Sequence, residues 1–237
     1  KSNVLKTWTM FLGILIFALS LFGAFIVRSG IIDSVHSFAN DPERGLYLLS
    51  FSGLITLFAL TIFAYRLPAL NSSKLVVTGS KESFLSMNNI LMITSIFSIF
   101  LGVTYPLIIE SINGEKVSIG PPYYNTIFAP LILIAAIFIM ISVDALWQRS
   151  MPLRALFFTT ATPIMLSLAS IYLIWWTTSV FSILAYVGIF SGLLILFSYL
   201  LRIINNLFNK KFINKGSAIA HTGLGLLFFA VSMNSIL

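Results

Sequence analysis

The chain has 237 residues, 58% hydrophobic and only 9% charged, whereas a soluble domain carries about a quarter charged residues, so composition excludes a water-soluble globule. Its net charge of +7 would point to nucleic acid in a soluble chain, but membrane chains gather Lys and Arg in cytoplasmic loops, so lipid and no nucleic acid is the expected surroundings. Cysteine is absent, which excludes disulfides, thiolate metal sites and covalent haem attachment on this chain and leaves His or Met to ligate any haem.

Seven apolar runs of about 20 residues, each enough to span a hydrocarbon core of about 30 Å as a helix, predict an all-α, polytopic transmembrane helical bundle with short connecting loops, forming a single transmembrane helical domain over residues 1–237. The first span covers 7–27. In the loop after it, Asp41-Pro42-Glu43 reads as a helix start, with Asp as N-cap and Pro at the first helical position, and the second span follows at 45–65. The third covers 89–109. Gly120-Pro121-Pro122 then predicts an extended or turning entry to the fourth span, 123–142, because Pro disfavours helix at the residue before it. The fifth, sixth and seventh spans fall at 155–176, 180–201 and 216–237. Tyr123, Tyr124, Trp175 and Trp176 fall where interfacial aromatic belts are expected.

Eleven of the fourteen basic residues lie on one side of this topology, and Arg28, Arg44 and Lys116 on the other. The positive-inside rule therefore puts the 28–44 and 110–122 loops outside the cytoplasm or mitochondrial matrix. Five of the seven acidic residues, Asp33, Asp41, Glu43, Glu110 and Glu115, share that outer side.

Ionisable residues are nearly absent from the spans, which counts against a proton pump or an ion-coupled transporter. Two histidines remain. His221 sits among small residues near the start of the last span, where an imidazole either bonds a neighbouring helix or ligates a haem iron approaching across the small side chains. His36 lies between Arg28 and Arg44 in the first outer loop. It is either a solvated loop residue or an iron ligand, with the two guanidinium groups as propionate partners.

Residues Arg28-Ser-Gly-Ile-Ile-Asp-Ser-Val-His-Ser-Phe-Ala-Asn-Asp-Pro-Glu-Arg-Gly45 closely resemble the CcmF/NrfE family of cytochrome c haem lyases. The resemblance continues through Ser80-Lys-Glu-Ser with Asn88-Asn89, Leu101-Gly-Val-Thr-Tyr-Pro-Leu107, Ser118-Ile-Gly-Pro-Pro-Tyr-Tyr-Asn125 and Ala218-Ile-Ala-His-Thr-Gly-Leu224. It implies a membrane assembly that receives haem from the chaperone CcmE and assists its thioether attachment to apocytochrome c, with CcmH as thiol-reducing partner. In that setting His36 corresponds to one ligand of the delivered haem and His221 to one ligand of a permanent b-type haem (haem b). Arg28 and Arg44 are candidate propionate partners.

The family's tryptophan-rich segment and its remaining haem-binding histidines would precede Lys1, so the chain is expected to be an excerpt or one piece of a split protein that works with a missing upstream part. The implied location is the bacterial inner (plasma) membrane, with the His36 loop periplasmic, or alternatively the mitochondrial inner membrane. The competing functional readings are a cytochrome b-like electron-transfer subunit and a transport or structural bundle without haem.

Overall fold

Backbone amides in hydrocarbon have no water to bond, and a helix satisfies them within its own segment. The computed structural model describes residues 5–29, 42–70, 76–180, 182–209 and 215–236. Among these it has seven helices and no strand: α1 (Lys6–Ser29), α2 (Pro42–Leu70), α3 (Lys81–Asn113), α4 (Pro121–Ser142), α5 (Leu153–Thr178), α6 (Ile183–Asn209) and α7 (Lys215–Met233). All seven are long and apolar enough to cross a bilayer. The protein is an all-helical, multi-pass membrane protein.

Most helices outrun the apolar stretches that predict them, because their ends are held by polar contacts that hydropathy does not register. At the start of α3, Ser80 Oγ accepts the amide of Ser83 at 3.3 Å, an N-cap bond that begins the helix eight residues before the predicted span. The end of α6 passes beyond residue 201, where Arg202 turns back to donate to the Ser198 carbonyl at 3.2 Å and finds Asp144 in the turn that follows α4. The predicted start of α2 agrees with the helix beginning at Pro42, while Asp41, its expected cap, lies outside the described residues. At α4 the residue before the helix, Gly120, is extended (φ −104°, ψ −174°). Pro121 and Pro122 occupy the first helical turn, where their missing amides cost no intrahelical bond.

Two compact units form. One comprises residues 1–75 and 104–117, and the other residues 76–103 and 118–237. In the first unit α1 packs on α2, with Phe11 and Phe63 rings 5.9 Å apart. The pair closes tightly where it meets the loop between them: a Cβ on Gly45 would come within 2.9 Å of Ser29 Cα and Cβ.

In the second unit α6 is the hub, packed against α4, α5 and α7. Its Ile189, Leu194 and Ile195 are fully buried. Lipid is as apolar as these side chains, so helix association there relies on close packing and small residues rather than on expulsion of water. The α6–α7 contact has that character. A Cβ on Gly192 would sit 2.5 Å from the Phe229 amide nitrogen and 2.8 Å from the Gly225 carbonyl, and one on Gly225 would sit 2.7 Å from the Leu196 nitrogen. The two backbones touch reciprocally at these glycines.

Elsewhere in this unit, Tyr123 donates to the Ser98 carbonyl at 3.1 Å, and the rings of Tyr123 and Tyr124 crowd Gly102. Both tyrosines therefore pack on α3, a role beyond the interfacial anchoring their position predicts. Trp175 and Trp176 occupy the last turn of α5, Trp176 largely exposed, and Ser179 ends the helix in the left-handed region (φ 53°) with its amide bonded to the Trp175 carbonyl.

Candidate functional site

His221 stands in the second turn of α7. Its Nδ1 lies 2.8 Å from the Ser217 carbonyl oxygen. A carbonyl only accepts, so Nδ1 carries the hydrogen, and in a neutral imidazole the lone pair then belongs to Nε2. Metal-bound histidines commonly carry this arrangement, with one ring nitrogen bonded to a carbonyl and the other kept for the metal. The donor chemistry at His221 thus fits a haem iron.

The imidazole is also stacked. The Tyr199 ring lies parallel to it, with centroids 4.7 Å apart and an interplanar angle of 8°. Tyr199 is buried, and its side chain hydrogen-bonds that of Ser217. One turn further along α6, the Arg202 guanidinium carbon sits 5.7 Å from the Tyr199 ring centroid. Arg202 is held by four bonds: Nη2 and Nε donate to Asp144 Oδ2 at 2.6 and 3.1 Å, Nη2 to the Met140 carbonyl at 2.9 Å, and Nη1 to the Ser198 carbonyl. A continuous contact path, Asp144–Arg202–Tyr199–His221, joins α4, α6 and α7.

Asp144 and Arg202 are both largely screened from solvent, so neither tolerates loss of the other alone. Asp144→Ala is expected to cost about 1.5–3 kcal/mol, the range for hydrogen bonds to charged groups. The double change of Asp144→Leu with Arg202→Met should cost clearly less, because apolar replacement removes both charges together. Unfolding of the detergent-solubilised complex, with Arg202→Met as the second single variant, checks this; a double loss equal to the sum of the two single losses would show that the pair carries no coupling.

Among the other sequence-predicted residues, Arg28 lies in the last turn of α1 and Arg44 in the first turn of α2, both exposed. Their neighbours Ser29 and Gly45 are the pair in contact, so the two arginines are gathered at the base of the loop that holds His36. His36 itself lies outside the described residues. No cluster of three or more His, Cys, Asp or Glu occurs among the described residues.

Tyr199, Arg202 and Asp144 were not legible as parts of a site, since no motif contains them. One signal was available. Only Glu82 and Asp144 are acidic on the side that holds eleven basic residues, and both are engaged, Glu82 Oε2 accepting the Gln148 amide at 2.9 Å.

No protein-family model matches the chain, and no solved structure does. Curated relatives do. The chain is 41% identical over 148 residues to the cytochrome c-type biogenesis protein CcmF of Pseudomonas aeruginosa, covering 62% of this chain and 22% of that protein. It is 35% identical over 240 aligned positions to the cytochrome c-type biogenesis protein ccl1 of Rhodobacter capsulatus, covering 98% of this chain and 37% of that one. With the cytochrome c-type biogenesis protein NrfE of Haemophilus influenzae, identity is 38% over 142 residues, covering 60% and 22%. The chain thus spans less than two fifths of the length of these relatives. With matches of this strength under a shared description, the chain belongs to the CcmF/NrfE family of cytochrome c-type biogenesis proteins.

Proposed function

We propose that this chain is the haem-handling part of a cytochrome c haem lyase in a bacterial inner membrane. The observation that carries the proposal is the state of His221: its Nδ1–H is committed to the Ser217 carbonyl, so Nε2 holds the lone pair that iron requires. Bound there, a b-type haem would supply one-electron reduction. His221 would ligate it, and Ser217 would fix the tautomer.

The substrate is a second haem, delivered by CcmE on the periplasmic side. His36 holds its iron, and Arg28 and Arg44 pair with its propionates through guanidinium–carboxylate bonds. The tight meeting of Ser29 with Gly45 supports this reading, because it brings both arginines to the ends of the loop carrying His36. Apocytochrome c, its thiols reduced with the help of CcmH, then adds each cysteine S–H across a vinyl C=C of the substrate haem. Sulfur joins one vinyl carbon and hydrogen the other, so nothing leaves and no net electrons are consumed. The upstream part of the same lyase, with its tryptophan-rich segment, completes both haem sites.

His36→Ala tests the assignment of the outer site. Holocytochrome c should fall to background while the b-type spectrum of the complex is unchanged, a combination that a plain electron-transfer subunit would not produce. Normal holocytochrome c in that variant contradicts the role given to His36.

A further inference from the structure

We infer that Tyr199, seated by the Asp144–Arg202 ion pair, is a positioning residue that sets the plane of the His221 imidazole for iron; the inference rests on the reading of His221 as a haem ligand. The hydrogen bond from Nδ1 to the Ser217 carbonyl fixes which edge of the ring faces the backbone. A single hydrogen bond, with its broad angular tolerance, still lets the ring rock about its Cβ–Cγ bond, and a parallel aromatic face 4.7 Å away restricts that motion.

Tyr199 can serve as a reference plane because it is itself immobilised. It is 4% exposed, bonded to Ser217 and covered by a guanidinium that four hydrogen bonds tie to α4, to Asp144 in the turn after it and to α6. The result is an orienting shell contributed by two helices other than the one bearing the ligand. Simple space-filling at this place would be met by leucine, which has no plane to transmit. Supporting groups of this kind are worth about 10- to 100-fold in metal affinity at other centres.

The test uses the native complex isolated through this chain, in wild-type, Tyr199→Phe, Tyr199→Leu and His221→Ala forms. The readouts are haem content per complex, from the pyridine haemochrome, and the low-spin EPR spectrum of the oxidised haem, which responds to imidazole orientation. Tyr199→Phe keeps the ring and should retain both the haem and the wild-type spectrum. Tyr199→Leu should lose haem about tenfold or more on washing, with the remaining EPR signal shifted or split. Should Tyr199→Leu fail to assemble, Tyr199→Met, equally without a plane, decides in its place with the same expected loss. If the Leu or Met form matches wild type in both readouts while His221→Ala has lost the haem, the positioning role is overturned and the ligand assignment stands. If His221→Ala keeps its haem, both fall.

Discussion

Gly192→Leu is expected to part α6 from α7 and, with them, Tyr199 from His221. The glycine has no room for even a methyl: its Cβ would sit 2.5 Å from the Phe229 nitrogen and 2.8 Å from the Gly225 oxygen. Those atoms are backbone, so relief requires a whole helix to move rather than a side chain to turn. Overpacking of a close-packed interior costs about 1–3 kcal/mol and sometimes more, and the upper end applies where the obstacle is main chain. Gly225→Leu should behave alike, since it meets the Leu196 nitrogen at 2.7 Å. By contrast, Gly13→Ala on α1 has nothing within 4 Å of the new methyl and should be silent. Unfolding of the purified complex, read beside its haem content, checks the series. Wild-type stability in Gly192→Leu would mean that the two backbones do not meet as described.

His221→Ala is expected to abolish holocytochrome c formation in cells. Removing the imidazole removes the only described histidine, and no neighbouring side chain can replace it: Ser217 and Thr222 offer hydroxyls, and Tyr199 is stacked and bonded elsewhere. The loss should be at least tenfold and is expected to be complete, because a missing ligand is a larger change than the supporting-group losses of about 10- to 100-fold. The complex should still assemble, since His221 makes no hydrogen bond to another helix among the described residues. Added imidazole, small enough to enter the space left by the side chain, should restore part of the maturation. Unimpaired maturation would remove His221 from the mechanism.

The spans were legible because hydropathy reports membrane immersion directly, and every predicted run holds a helix. Their ends were not, because Ser80 and Arg202 extend helices through particular hydrogen bonds. His221 was legible by residue type alone, as an imidazole in a span otherwise without ionisable groups. Its surroundings were not: Asp144 and Arg202 are 58 residues apart, and their meeting depends on how α4 packs on α6. That Gly192 faces Gly225 is likewise a property of the α6–α7 crossing, although glycine in an apolar run hints at close approach. The arginines flanking His36 read from sequence as candidate propionate partners, without their relative placement. The Ser29–Gly45 contact is what places them at one end of the α1–α2 pair.

The measurement that bears most directly on the whole account is a reduced-minus-oxidised spectrum, with a pyridine haemochrome, of the native complex isolated through this chain and of the same complex carrying His221→Ala. The account predicts a b-type signal in the first and its loss in the second, with the complex otherwise intact. A haem-free wild-type complex, or an undiminished b-type signal in the variant, would contradict it.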